Sequence, residues 1–346
     1  MFLIIFSLFT IVISRCYKLS PDLTILTDHL RDITKFPLEP GHQGEISNRE
    51  PGKCNNFNYR QPNTTLKYIV QHHTVCNYSE TVNIFLNQTT SAHFVIRKSG
   101  LVQEFVSPNF RAYHAGNGNL TFGSKLNPEN LNGDMNSWAI GIETVNNGKE
   151  PYPFVQIHAN LLLCDKLCDE IPSLDPNLMI GHSDWAIGRK IDVSVYFPWE
   201  LFSKAKEESK QWDFPIKRNF GVFPRIAQLN LSKNPEPIII EGNYSKTISQ
   251  NKIIEIQKLL QMYGYSIDDR EIGDFGVSTQ NAILAYNIHF KGREIVKHKL
   301  EIWNKLVDGD PDPHVREMLI EFNENDLICL KDVLEQFPKE KLRDVA

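Results

Sequence analysis

Basic charge is not in excess in this chain. Its 346 residues carry 37 lysines and arginines against 42 aspartates and glutamates, a formal net charge of −5. A nucleic-acid-binding protein usually shows a basic excess, so this composition argues against one. No Cys-x-x-Cys pair occurs among the six cysteines, which disfavours a cysteine-held zinc site. There is also no His-Glu-x-x-His run, the helical signature of many zinc peptidases. Long apolar runs are lacking as well. Met1 to Ile13 falls short of the roughly 20 residues that span a bilayer, and it reads instead as the core of a secretory signal, residues 1–14, cleaved after Ser14. A lipid-modified Cys16 stays open as a membrane attachment through the N-terminus, although Arg15 stands where such a signal needs a small residue. Hydrophobic content of 41% and charged content of 23% are those of an ordinary soluble protein, long enough for two domains.

What the chain does have is histidine at the ends of apolar runs. Tyr68-Ile69-Val70-Gln71 leads into His72, and Asn177 to Ile180 leads through Gly181 into His182, with Lys190 and Asp192 eight and ten positions on. Two strand-end histidines and a loop aspartate can converge at one edge of a sheet as an open zinc site with water in the fourth position. Zinc held in this way lowers the pKa of its water from 15.7 to about 7. A carboxylate nearby can then carry the proton. Glu143, in Ile140-Gly141-Ile142-Glu143, is the candidate, because a charge within an apolar strand is costly unless it has a partner or a task. The Lys190 ammonium could hold a developing oxyanion. His73 should fall on the opposite strand face and pack rather than ligate.

Five segments, in order, resemble the zinc-dependent type 2 N-acetylmuramoyl-L-alanine amidases. They are Ile69 to Thr74, Ser91 to Ile96, Tyr113-His114-Ala115-Gly116, Ala139 to Glu143, and Gly181 to Asp192. The resemblance covers roughly residues 64 to 205. It implies Zn2+ held by His72, His182 and Asp192, with Glu143 as general base and Lys190 as oxyanion helper. Its substrate-side His-Ala-Gly implies contacts at His114 and Ala115; His93, after a strand start, is read as a substrate contact or as a support behind the ligands, and Asn146 as a further substrate contact. The implied reaction is hydrolysis of the amide between N-acetylmuramic acid and L-alanine in peptidoglycan or its fragments. A non-catalytic peptidoglycan-recognition protein of the same fold is the alternative. The sequence departs from the family after Asp192, where Val193-Ser194 replace the usual Pro-Gly.

Strands alternating with helices predict an α/β domain, a mixed central sheet flanked by helices. Strands are expected at 66–72, in a hairpin of 92–97 and 101–106, and at 138–145. Helices are expected at 79–88, capped by Ser79, at 154–171, and from 197 to about 210. The domain plan is a lead-in at 15–63 with little regular structure, the amidase domain at 64–210, and a linker at 211–247. A small all-α domain at 248–307 and an acidic helical tail at 308–346 follow. The all-α segment resembles the three-helix peptidoglycan-binding domain through its Gln257-to-Gly264 helix, the Phe275-Gly276 turn, Thr279 and Ala282. Ile272 and Asn287 stand where that family has aspartate and glutamine. As a tether it would bind wall polymer without touching the chemistry. Cys54 with Cys76 is a plausible disulfide, and Cys164 and Cys168 share a helix face. Together these readings describe a monomer exported to the periplasm, cell envelope or exterior.

Overall fold

The computed structural model describes residues 56–60, 62, 64–128, 131, 133–244, 248–306 and 313–337. The expectations for the signal at 1–14, for Cys16, and for Cys54 with its pairing to Cys76 lie outside these residues, as do 307–312 and the tail beyond Phe337. In chain order, the main elements of the first half begin with β1 (Phe57–Tyr59), β2 (Tyr68–His73), α1 (Tyr78–Asn87), β3 (Phe94–Ile96) and β4 (Val102–Glu104). It continues with β5 (Phe110–Ala112), β6 (Ala139–Thr144), α2 (Phe154–Glu170), β7 (Met179–Gly181), α3 (His182–Trp185) and α4 (Trp199–Phe202). The second half has β8 (Pro237–Ile240), β9 (Asn243–Tyr244), α5 (Gln250–Tyr263), α6 (Val277–Phe290), β10 (Phe322–Asn323) and α7 (Glu324–Gln336).

The main sheet has the order β4-β3-β6-β2-β7, parallel except for β4. All six residues of β2 are buried, as expected for a parallel strand covered on both faces. Gln71 and Asn160 exchange side-chain amide hydrogen bonds at 3.0 and 2.8 Å, which fastens α2 to β2 immediately before His72. In the parallel register His72 stands beside Glu143, and Gln71 beside Gly181. The carboxyl ends of β2, β6 and β7 therefore finish together, the usual place for a site in an open α/β sheet.

Several boundaries differ from expectation. Asn77, not Ser79, caps α1: its side chain accepts from Glu80 N–H at 3.0 Å and the Glu80 carboxylate answers on Asn77 N–H. The helix expected from 197 breaks after Phe202, where the Ser203 hydroxyl bonds back to Glu200 O at 2.9 Å. The lead-in contributes β1, paired antiparallel with β5. The linker contributes β8, which pairs with β9 and, from the far end of the chain, with β10. The helical C-terminal region thus also carries a three-stranded sheet. Its helices are not held apart as a tether, because α6 packs on α3, the turn that carries His182. Most buried apolar residues of both halves join in one cluster, from Val70 and Ile140 through Trp185 and Trp199 to Ile283 and Leu330, beside a smaller one around Phe85, Val95 and Val106. No helix among the described residues is long and apolar enough to cross a membrane.

Candidate metal centre

At the carboxyl edge of the sheet, His72 Nδ1, His182 Nδ1 and Asp192 Oδ2 meet. The two ring nitrogens are 3.1 Å apart and each lies 3.0 Å from the carboxylate oxygen. Backbone geometry sets the meeting. His72 is the last residue but one of β2, His182 opens α3 directly after β7, and Ser183 N–H donates to Asp192 O at 2.5 Å, folding the loop back on itself. The Asp192–Val193 peptide bond, where the sequence leaves the family pattern, is cis.

The donor set fits a metal. His182 Nε2 lies 2.8 Å from Ala115 O, a contact only an N–H can make, so in the neutral ring Nδ1 carries the lone pair. His72 Nε2 is 3.0 Å from His114 Nδ1, and either nitrogen can donate; with the proton on His72 Nε2, its Nδ1 also carries a lone pair. Two lone pairs and a carboxylate oxygen facing one point make an arrangement that suits a cation between them. Three ligand atoms around zinc in tetrahedral geometry, with bonds of about 2.05 Å, lie roughly 3.3 Å apart, close to the separations seen. Asp192 Oδ1 has no hydrogen-bond partner among the described residues. Among those residues, this trio is the group of histidine, cysteine and acidic side chains placed to hold an ion.

Protonation agrees with this. Burial pushes the His72 imidazole down to about 4, helped by His182 and opposed by Asp192. Burial would raise the Asp192 carboxyl, but the His182 ring beside it and hydrogen bonds from His182 and His72 hold it well below the usual carboxylate range. Burial, with His72 and His93 nearby, also keeps His114 well below the ordinary imidazole value. Neutral imidazoles and an ionised carboxylate are the forms that bind metal.

A cleft of about 390 Å³ opens over the trio, lined among others by His73, His114, Ala115, Glu143, Arg189 and Lys190. His73 lies on the cleft wall rather than away from it, with its ring against the Gly148 turn. Two expected substrate residues are elsewhere. His93 is fully buried behind the strands, where Nδ1 accepts from Gly141 N–H at 3.0 Å and Nε2 faces Phe110 O and the Arg60 guanidinium. Both of its ring nitrogens are thus engaged within the protein. Asn146 is also buried and off the cleft wall. It accepts from Gly148 N–H at 2.7 Å and donates to Glu150 O at 3.1 Å, which shapes the turn after β6. His114 and Ala115 do face the cleft, held by Asn136, whose side-chain oxygen accepts from both backbone N–H groups.

Sequence reading missed Asn136 and Arg189. The Arg189 guanidinium donates to Ala115 O at 3.1 Å, on the same carbonyl that orients His182. It also missed the meaning of Gly141. A Cβ there would meet His114 Cγ at 2.4 Å, so the glycine makes room for the ring against β6. Gly141→Ala is expected to cost about 1–3 kcal/mol, read as a lower denaturation midpoint with an unchanged slope.

Residues 62–194 match the family model described as N-acetylmuramoyl-L-alanine amidase. The chain is 31% identical over 112 residues to the 1,6-anhydro-N-acetylmuramyl-L-alanine amidase AmpD of Haemophilus influenzae, a match covering 32% of this chain and 56% of that protein. It is 30% identical over 112 residues to the protein of the same name from Enterobacter cloacae, covering 32% and 54%. The chain thus spans little more than half the length of the curated relatives it matches. Among solved structures, the N-acetylmuramyl-L-alanine amidase AmiD from E. coli, in complex with anhydro-N-acetylmuramic acid-L-Ala-D-gamma-Glu-L-Lys, aligns with a TM-score of 0.52 at 18% identity. That alignment covers 80% of this chain and 93% of that one, and the likeness is one of fold. The segment bearing the histidine and aspartate trio, residues 62–194, is accordingly the part of this chain that matches the N-acetylmuramoyl-L-alanine amidase family.

Proposed function

We propose that this protein is a zinc-dependent amidase that hydrolyses the bond between the lactyl group of N-acetylmuramic acid and L-alanine, in peptidoglycan or its fragments. The observation that carries this reading is the convergence of His72 Nδ1, His182 Nδ1 and Asp192 Oδ2 on one buried point, with Glu143 in register beside His72. A zinc ion bound by these three would supply a Lewis-acid centre with an open position for water. Glu143, on the cleft wall, takes the proton of the attacking water and returns it to the leaving nitrogen. The Lys190 ammonium lies on the same wall and balances the charge that develops on the carbonyl oxygen. His114 and Ala115 border the path of the substrate. Arg189 does so as well, and it also steadies the carbonyl on which His182 rests.

On this reading the protein is exported, acts as a monomer in the periplasm, the cell envelope or outside the cell, and meets wall polymer partly through its C-terminal helical segment. Mass spectrometry of a purified muropeptide, incubated with and without a chelator, tests the reaction. Free stem peptide beginning with L-alanine, absent under chelation, is the expected product. Cleavage between sugars or within the stem would refute the amidase reading. Intact substrate after incubation with folded, zinc-loaded protein would favour a non-catalytic peptidoglycan-recognition protein.

A further inference from the structure

Asp184 stands two residues after His182 and has no exposed surface. A carboxylate so placed is costly unless its oxygens are hydrogen-bonded. Here Oδ2 accepts from the Gly181 backbone N–H at 2.7 Å, closing the turn at which β7 becomes α3. The other partners come from the far half of the chain. The Tyr265 hydroxyl donates to Oδ1 at 2.8 Å, and His289 Nδ1 lies 2.8 Å from Oδ2. Tyr265 follows the end of α5, and His289 is in the last turn of α6. Both are themselves fixed. The His289 ring stacks on Trp199 with centroids 4.0 Å apart and planes 12° apart, and the Tyr265 backbone pairs with Leu120. Through Thr121 N–H to Gly264 O at 2.8 Å and Asn119 N–H to Trp185 O at 3.1 Å, the loop after Gly116 links the same two regions.

We propose that Asp184, Tyr265 and His289 are positioning residues for His182, so that the C-terminal helical segment sets the place of one metal-ligating nitrogen. The inference rests on reading His182 as a ligand. The Gly181-His182 backbone is held through Asp184, and Asp184 is held from the other half of the molecule. The turn that carries His182 is therefore braced by α5 and α6, and the segment is part of the site's frame as well as a route to wall polymer.

The test uses the full-length protein. Zinc affinity is measured by competition with a chromophoric chelator, and ligand geometry is read from the visible spectrum of cobalt-loaded protein. Tyr265→Phe and His289→Gln should each weaken zinc binding by roughly 10-fold or more, the scale for losing an outer support of a metal ligand, and should alter the cobalt spectrum. Asn287→Ala is the control. Asn287 is buried on the same helix, and its amide donates to Leu319 O and Glu321 O, away from Asp184. That variant should lower Tm yet keep wild-type zinc affinity and spectrum. Wild-type affinity and spectrum in either folded Asp184-partner variant would overturn the proposal, as would an equal loss in Asn287→Ala. If the partner variants loosen zinc while wild-type protein cuts no muropeptide, the amidase reading fails and this one stands.

Discussion

Glu143→Gln is expected to lower kcat by about 10²–10⁴-fold while the protein keeps its full equivalent of zinc. The glutamate lies in β6, in register with His72 on the neighbouring strand, and borders the cleft without belonging to the trio. Glutamine preserves size and hydrogen bonding but cannot accept a proton. The loss should therefore fall on turnover, with KM little changed. A binding-only protein would show no product with either form and no difference in fragment affinity. Loss of zinc from Glu143→Gln would instead make the carboxylate part of the metal's support and remove the case for a separate base.

His182→Ala and Asp192→Ala are expected to lose metal and activity together. Each removes a donor from a buried three-atom cluster, and Asp192 also supplies its negative charge. Losing a mere outer support costs about 10–100-fold in metal affinity, so losing a ligand should exceed 100-fold. Zinc content after dialysis against a weak chelator is the measurement. A full equivalent retained by His182→Ala would show the ligand assignment to be wrong.

The parts of this molecule that could be read from sequence share one property: their partners are close in sequence or fixed by a period. His72 and His182 stand out because each ends an apolar run, and strand ends gather at one edge of a parallel sheet. Asp192 follows from its short distance to His182. The burial of His93 and Asn146 off the cleft wall could not be read from the sequence, because adjacency to a motif says nothing about which way a side chain turns. His93 turned out to be bound by a backbone N–H of β6 and by Arg60, a residue assigned to an unstructured lead-in. Strand β8 went unseen because its neighbouring partner β9 is only two residues long and its other partner, β10, lies far along the chain. Asp184 gave no signal beyond the motif around it, since Tyr265 and His289 are 81 and 105 residues away. Long-range pairing of buried polar groups has no local pattern, and that is why the contacts of the C-terminal segment with the turn that carries His182 could not be read from the sequence.

The central claim is that water, activated beside His72, His182 and Asp192, adds to the lactyl carbonyl of the muramic acid. Hydrolysis of a purified muropeptide in water enriched in oxygen-18 tests it most directly, with mass spectra taken of both fragments. The account predicts one heavy oxygen in the lactyl carboxylate of the muramic acid and none in the released peptide. Label at a sugar hydroxyl, or in a carboxylate of the peptide, would contradict it.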